Sequence, residues 1–317
     1  MNIVDQMRAV ISQFENGDIP KEEYWDRMFD FHSVLKYYKE LINQEELSRI
    51  EITPSDIYVV LPNSLRFVWL PEDKRTAISH IVNDGMYERK ERALLFHLVS
   101  CFKTIFDIGA NIGWYSLHFS QLVREKEGIV YSFEPVKDTY NRLRENVTLN
   151  GAKNLYTFNN AFGDKKESTT FYLPHCSGSV ATSMRPLYDS ASQEIECDVL
   201  RLDDFVVEQG IKSVDFIKCD VEGAELLVVK GGLDILTNCK PVVFVEMLRK
   251  WTAKFDYHPN KTIELFSNLG YCCYFNKDGR LIEIKMMDND CMETNFYFLH
   301  NEKHLDLFVN LIGEDQN

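Results

Sequence analysis

From residue 102 onward, short apolar runs alternate with segments of helical periodicity. The apolar runs lie at 104–108, 129–133, 154–159, 214–219 and 242–246. The helical segments lie at 113–125, 136–150, 203–209, 223–229 and 261–268. Nearly all-apolar strands separated by helices are typical of a parallel sheet covered by helices on both faces. Two later runs, Tyr271–Phe275 and Asn295–Leu299, complete the pattern of a doubly wound α/β fold.

The N-terminal part of the chain does not follow this alternation. Residues 1–50 have the apolar spacing of helices. Two strand-like runs follow at Ile57–Leu61 and Leu65–Leu70, and the short gap between them is typical of a hairpin. We therefore predict a helical extension with a short hairpin over residues 1–85, acting as a cap or as the surface of a homodimer, and an α/β domain over residues 86–317.

A less regular insert interrupts the α/β pattern at Lys165–Leu200. It contains the apolar run Phe171–Leu173 and then the polar stretch Ser177-Gly178-Ser179. Short polar residues and glycine between regular elements are typical of exposed, mobile loops that carry function. We predict a lid or a substrate loop here.

The charge of the chain restricts its partners. The sequence has 49 acidic and 35 basic residues, a formal net charge of −14. Nucleic acids are disfavoured as partners, because their binding depends on Lys and Arg. No apolar run approaches the ~18–20 residues of a membrane helix, and Met1–Gln13 lacks the apolar core of a signal peptide. The eight cysteines form no C-x-x-C pair, so we expect a cytoplasmic protein with reduced thiols and no membrane insertion.

A glycine turn follows the first apolar run of the α/β pattern. Residues 104–108 lead into Gly109-Ala-Asn-Ile-Gly113, and a helix begins near Trp114. Glycines there would let the backbone approach a ligand and would leave the amides at the helix N-terminus available. The G-x-x-x-G spacing disfavours a dinucleotide, which requires G-x-G-x-x-G. The turn by itself is compatible with a ligand site or with a plain connection.

Two acidic residues end the first two apolar runs. Glu134 ends the second run, where an acid is placed to accept both hydroxyl hydrogens of a ribose bound across the first turn. Alternatively it favours the start of the helix after Pro135. Asp107 ends the first run, and its carboxylate would contact a ligand cation or hold the turn through hydrogen bonds to amides.

A second group of charged residues follows the later apolar runs. Lys218 and Asp220 end one run, Glu222 and Glu225 follow in the next helix, and Glu246 ends the neighbouring run. Open α/β folds bind ligands at the carboxyl ends of their strands, so these groups form a candidate site. One carboxylate could act as a general base, two could hold Mg²⁺, or all could form an ion-pair network without chemistry. We favour metal-free catalysis, because the D-x-E spacing is a weak metal signal.

Four motifs in order resemble the FkbM family of S-adenosylmethionine-dependent methyltransferases. They are DIGANIG at 107–113, FEP at 133–135, NNAFGD at 159–164 and DFIKCDVEGAELLVVKGG at 215–232. The resemblance covers roughly residues 87–275. It implies a class I methyltransferase fold, which is Rossmann-like with a seven-stranded sheet and an antiparallel last strand. It also implies S-adenosylmethionine as cofactor and hydroxyl groups of sugars and natural products as methyl acceptors.

The same resemblance assigns residues to the cofactor. It implies that Asp107, Gly109, Asn111 and Gly113 surround the methionine part, that Glu134 holds the ribose, and that Asn160, Ala161 and Phe162 line the adenine. Pro135 completes the set of cofactor candidates. Asn111 replaces the middle glycine of the general methyltransferase pattern but matches this family. The catalytic candidates are Lys218, Asp220, Glu222, Glu246 and His258, with Asp220 and Glu246 as the alternative Mg²⁺ ligands. His175 in the insert is a further histidine that could reach a substrate.

The function that we predict from these residues is O-methyl transfer from S-adenosylmethionine to a hydroxyl of a carbohydrate or a sugar-containing intermediate. One alternative is an O- or N-methyltransferase of a polyketide, a peptide or another small molecule. An alternative of another class is a non-catalytic methyltransferase fold that holds partners through its N-terminal helices.

Overall fold

The computed structural model describes residues 2–42, 46–174, 182–188 and 191–313. The helices are α1 (Ile3–Glu15), α2 (Lys21–Leu41), α3 (Ala77–Asp84), α4 (Arg89–Val99), α5 (Trp114–Val123), α6 (Lys137–Leu149), α7 (Leu202–Glu208), α8 (Glu225–Gly231), α9 (Leu233–Asn238), α10 (Arg249–Thr252), α11 (Asn260–Asn268) and α12 (Leu305–Phe308). The strands are β1 (Arg49–Ile52), β2 (Ile57–Val60), β3 (Arg66–Val68), β4 (Thr104–Ile108), β5 (Ile129–Phe133), β6 (Leu155–Phe158), β7 (Ala161–Phe162), β8 (Glu167–Pro174), β9 (Ser192–Leu200), β10 (Phe216–Cys219), β11 (Val242–Glu246), β12 (Tyr271–Lys277), β13 (Arg280–Ile284) and β14 (Asn295–His300).

An eight-stranded sheet with the order β13-β12-β14-β11-β10-β4-β5-β6 positions the site. The five strands from β11 to β6 pair in parallel, and β14 is antiparallel to both of its neighbours. This topology confirms the predicted doubly wound fold with an antiparallel last strand. The prediction of seven strands missed β13, which pairs with β12 across a tight Asp278-Gly279 turn. Both turn residues have positive φ, as two-residue hairpins of this kind require.

Two hydrophobic cores cover the two faces of the sheet. The first contains residues of α3, α4 and α5, such as Ile78, Leu95 and Leu117, and the second contains residues of α7, α8, α9 and α11, such as Phe205 and Phe266. Side chains of neighbouring residues in a strand point to opposite faces, so each strand contributes to both cores. Their predominantly apolar sequences follow from this double burial.

Within residues 2–42 and 46–85, the N-terminal segment contains the three helices α1, α2 and α3 and a small three-stranded sheet in the order β1-β2-β3. The predicted hairpin corresponds to β2 and β3, whereas β1 begins inside the stretch for which we predicted helix. The amides of Arg66 and Val68 in β3 donate to the side chains of Asn150 and Asn146 in α6 at 2.8 and 2.9 Å. This small sheet is therefore fastened to the α/β part. The division at residue 85 stays a prediction.

The insert at 165–200 is more regular than we predicted. Strands β8 and β9 form an antiparallel ribbon, and β7 pairs in parallel with β9. Residues 175–181, including His175 and the predicted flexible stretch, lie outside the described residues. Across the ranges that the structure describes, no helix combines the length and the apolar character needed to cross a membrane.

Candidate active site

A cavity of about 340 Å³ opens at the carboxyl ends of β4, β5, β10 and β11. The structure brings most of the predicted site residues to its wall. Those that line it are Gly109, Asn111, Glu134, Pro135, Asn160, Ala161, Phe162, Lys218, Asp220, Glu222 and Glu246. Three predicted residues, Asp107, Gly113 and His258, do not line it.

The glycine turn forms the floor of the cavity. Gly109 has φ +79°, and a Cβ atom there would lie 1.8 Å from the backbone oxygen of Asp220. A side chain is therefore excluded by the neighbouring strand, and the glycine requirement does not depend on a ligand. Gly113 has φ +87° and packs against Leu143 in α6, where a Cβ atom would lie 2.4 Å from the leucine Cδ1. Its role is to let α5 begin close to α6.

Glu134 lines the cavity together with Pro135 and the residues predicted to line an adenine, a part of the wall that we call the nucleoside end after that prediction. Its side chain is buried, and its two oxygens accept the backbone N–H groups of Asn111 and Val136 at 3.0 Å each. Burial raises the pKa of Glu134 to about 7, although both amide hydrogen bonds lower it. Each carboxylate oxygen can accept a second hydrogen bond, so the capacity to bind ribose hydroxyls remains. The bond to Val136 also supports the start of α6.

Lys218 lies near the carboxyl end of β10 and lines the cavity. It is buried, and its Nζ lies 3.2 Å from Oδ2 of Asp220 and 3.7 Å from Oδ1 of Asp107. Burial alone would lower the pKa of Lys218, but the two carboxylates outweigh it and hold the pKa above its usual value. Lys218 therefore stays protonated and neutralises acids from two adjacent strands. The sequence analysis considered an ion-pair network without chemistry as one alternative for these residues. The observed ion pairs of Lys218 include Asp220 and also Asp107.

Asp107 lies behind the turn rather than in the cavity. It is fully buried, and its Oδ2 accepts the hydroxyl hydrogen of Ser116 at 2.5 Å. Its other oxygen faces Lys218. Burial raises the pKa of Asp107, and Lys218 opposes that shift. The structure thus gives Asp107 partners within the protein and no surface toward a ligand.

Two carboxyl groups, those of Glu222 and Glu246, interact with Asp220. We call the part of the cavity wall formed by Lys218, Asp220, Glu222 and Glu246 the transfer end, after the predicted catalytic role of these residues. Burial raises the pKa of Glu246, and the neighbouring Asp220, to which it is hydrogen-bonded, raises it further. Burial and Asp220 also raise the pKa of Glu222. Both glutamic acids therefore hold their protons more tightly than a free glutamic acid does. Glu225 points away from this end, because its oxygens accept the N–H of Gly223 at 2.8 Å and the hydroxyl hydrogen of Tyr257 at 3.2 Å.

Several cavity residues were missed by the sequence analysis. The segment before β4 supplies Arg75, Thr76, Ala77, His80, Tyr87 and Glu88, and the start of α5 supplies Trp114 and Tyr115. The hydroxyl of Tyr115 donates a hydrogen bond to Glu88. No periodic or spacing signal marks Glu88, because it meets the site only through packing of α4 against α5.

His258 and the proposed metal do not gain support from the structure. His258 is exposed, and its Nδ1 accepts the N–H of Asn260 at 3.2 Å outside the cavity. Within residues 2–42, 46–174, 182–188 and 191–313, no group of three or more His, Cys, Asp and Glu side chains is placed to hold a metal ion.

The strand order, the glycine turn and the acid-tipped second strand define a class I methyltransferase, an enzyme class that uses S-adenosylmethionine. The methyltransferase FkbM domain matches residues 107–273. This segment is more than half of the chain, and the protein belongs to the FkbM methyltransferase family. Glu88 and the other residues before β4 lie outside the matched segment.

Curated relatives have the same enzyme class. Methyltransferase 1 of Beauveria bassiana is 29% identical over 50% of this chain and 69% of its own length. Methyltransferase sdnD of Sordaria araneosa is 30% identical over 40% of this chain and 59% of its own length. The 2-O-methyltransferase NoeI of Sinorhizobium fredii is 30% identical over 43% of this chain and 60% of its own length. The chain thus spans between 59% and 69% of these relatives.

Solved structures also match the chain. The methyltransferase FkbM of Methylobacillus flagellatus is 18% identical, covers 62% of this chain and 43% of its own, and has a TM-score of 0.38. A SAM-dependent methyltransferase of Aquifex aeolicus is 18% identical, covers 66% of this chain and 87% of its own, and has a TM-score of 0.35. The family membership rests on the domain match.

Proposed function

We propose that the protein transfers a methyl group from S-adenosylmethionine to a hydroxyl of a carbohydrate or a sugar-containing intermediate. The observation that carries the proposal is the pair Asp220 and Glu246, which lies next to Lys218 and lines the same cavity as Glu134. The name of the relative NoeI, a 2-O-methyltransferase, supports transfer to oxygen.

The residues present fit the cofactor. Glu134 at the tip of β5 suits the ribose, and the apolar wall of Ala161 and Phe162 suits the adenine. At the transfer end, the three acids Asp220, Glu222 and Glu246 outnumber the single lysine Lys218, which suits a ligand that carries positive charge. The cofactor supplies an electrophilic methyl group on a sulfonium.

Asp220 is the proton acceptor in this proposal. It lies directly after β10. Its side chain is 29% exposed, whereas the side chain of its ion-pair partner Lys218 is 3% exposed. Burial and the charge of Asp220 raise the pKa of Glu222 and of Glu246, which favours the protonated, non-accepting form of both groups. As the oxygen–methyl bond forms and the sulfur–methyl bond breaks, the bonding pair stays on sulfur and the hydroxyl proton passes to Asp220. Lys218 fixes the position of the Asp220 carboxylate.

The transfer end also suits an acceptor with several hydroxyl groups. A protonated carboxyl both donates and accepts hydrogen bonds, whereas a carboxylate only accepts them. Asp220 with Glu222 and Glu246 therefore offers both kinds of partner to neighbouring hydroxyls of one ring. A phenol or an amine with a single polar group would leave these partners unused, which costs binding energy.

The test uses labelled S-adenosylmethionine with a panel of methyl glycosides, phenols and amines. We expect transfer to at least one glycoside, and a loss of roughly 100-fold or more in Asp220→Asn. The affinity of Asp220→Asn for S-adenosylhomocysteine, measured by calorimetry, should stay within a few-fold of wild type. Glu264→Gln, an exposed acid on α11, is the control and should behave as wild type. A wild-type rate in Asp220→Asn would exclude it as the base, and labelling of phenols or amines alone would refute the sugar acceptor.

A further inference from the structure

Glu88 has an unusual backbone for a glutamate. It lies between α3 and α4, outside the segment that matches the family, with φ 44° and ψ 40°. This left-handed conformation costs a residue with a side chain about 1–2 kcal/mol. Strained residues persist only where the surrounding structure holds them, and they cluster at functional sites. The strained backbone therefore marks Glu88 as a candidate functional residue.

The Glu88 carboxylate does not serve its own helix. Glu88 is the N-cap residue of α4, where an acidic side chain commonly accepts a free backbone amide, yet it makes no such bond. Its Oε2 instead accepts the hydroxyl hydrogen of Tyr115, and the residue lines the cavity. Among the residues that the structure describes, no basic side chain forms an ion pair with it, because Lys218 pairs with Asp107 and Asp220. Burial raises the pKa of Glu88, and the hydrogen bond from Tyr115 and the nearby charge of Lys218 oppose that shift. A carboxyl group with a hydroxyl donor and no direct ion-pair partner thus faces the site.

The position of Glu88 relates it to one part of the cofactor. Tyr115 belongs to the first turn of α5, which starts directly after the glycine turn Gly109–Gly113. The family resemblance assigns that turn, together with Asp107, to the methionine part. Asp107, however, is fully buried, with its oxygens turned to Ser116 and Lys218. Glu88, bonded to Tyr115 in the first turn of α5, is an acid from outside the family-matched segment that lines the cavity.

We propose that Glu88 binds the α-ammonium group at the amino-acid end of S-adenosylmethionine, in place of Asp107. The inference rests on the proposed function, because it requires that cofactor in the cavity. The Tyr115 hydroxyl holds the carboxylate in place, and the left-handed backbone turns it away from α4. A residue from outside the family-matched segment therefore completes the cofactor site.

Two thioether ligands, which have no sulfonium methyl group to transfer, separate binding of the ammonium group from other roles of Glu88. S-Adenosylhomocysteine carries the ammonium group, whereas 5′-methylthioadenosine lacks the whole amino-acid end. We expect Glu88→Gln to weaken S-adenosylhomocysteine by roughly tenfold or more in calorimetry, as for a lost hydrogen bond to a charged group, and to change 5′-methylthioadenosine by less than about twofold. Asp107→Asn should keep the wild-type ratio of the two dissociation constants. Glu127→Gln is the matched control, because Glu127 is an exposed glutamate with φ 56°.

Other outcomes would overturn the inference. Equal weakening of both ligands in Glu88→Gln would mean that Glu88 only shapes the cavity. Unchanged binding of both would place Glu88 on the acceptor side. A ratio altered by Asp107→Asn and not by Glu88→Gln would return the role to Asp107. If the wild-type protein binds neither ligand, the proposed function itself fails, and this result differs from all the others.

Discussion

The two ends of the cavity hold their acids in different ways. At the nucleoside end, Glu134 is held by backbone amides of Asn111 and Val136. At the transfer end, Asp220 is held by the side chain of Lys218, which also pairs with Asp107 behind the cavity. Backbone amides stay in place when a side chain is replaced, whereas a shared lysine supports several groups together. Substitution at the transfer end should therefore cost more stability than substitution at the nucleoside end.

The largest effect is expected for Lys218→Met. It leaves the buried Asp107 and the neighbouring Asp220 without a cation, and breaking a buried ion pair by removing one partner costs about 3–5 kcal/mol. Urea unfolding should show this loss in the free energy of unfolding. Adding Asp107→Asn should restore part of it, because the buried group is then neutral. A loss below about 1 kcal/mol in Lys218→Met would show that the two ends do not differ.

The next largest effect is expected for Gly109→Ala, because Gly109 packs against the backbone of Asp220 and donates its N–H to Phe133. The new Cβ atom would overlap the Asp220 backbone oxygen and would stand on a left-handed backbone. Overpacking and the unfavourable φ together cost about 2–5 kcal/mol in the free energy of unfolding. Gly151→Ala is the control, since Gly151 has φ +57° and nothing within 4 Å of the Cβ position. Equal losses in both variants would mean that strain alone, and not the strand contact, requires glycine at 109.

A smaller, pH-dependent effect is expected at Glu134. Its pKa of about 7 lies above the ordinary 4.5, so the folded protein holds this proton more tightly than the unfolded chain. The resulting stability is full below pH 4.5 and is lost as the pH rises toward and through 7, by up to roughly 3 kcal/mol. Unfolding free energies of the ligand-free protein between pH 5 and 8 should therefore fall less steeply in Glu134→Gln than in wild type. Parallel curves would contradict the raised pKa.

The smallest effect is expected for His258→Ala. The ring is exposed and accepts one backbone N–H, so its removal should cost less than about 1 kcal/mol of stability. Methyl transfer to the best acceptor of the glycoside panel should stay within about twofold of wild type. A loss of tenfold or more, with unchanged stability, would place His258 in the reaction after all.

Strands buried on both faces were the easiest elements to predict. The predicted ends of β4, β5 and β11 coincide with the observed ones, because a strand between two helical layers is apolar at most positions. The ribbon of β8 and β9 was missed, although Ile195, Cys197 and Val199 alternate with acidic residues. That alternation is the signal of a half-buried strand, and the Asp278-Gly279 pair was a hairpin signal for β13.

The predicted residues that follow strands meet at one edge and line the cavity, whereas the sequence did not place side chains whose surroundings depend on long-range contacts. Lys218, Asp220 and Glu246 follow apolar runs, and parallel strands bring such ends to one edge. Whether an end residue faces the cavity depends on its neighbours, and the sequence did not show that Ser116 and Lys218 turn Asp107 inward. Nor did it show that Tyr115 meets Glu88, because these residues belong to different helices.

The sequence by itself determined the order of strands and helices, the glycine turn and the acids at the strand ends, since periodicity and turn chemistry are properties of neighbouring residues. Only the tertiary structure decided which acids reach the cavity. Asp107 is enclosed by protein partners, while Glu88, from before the family segment, lines the site. The reason is that burial and pairing of charges depend on packing between distant segments, which local sequence does not specify.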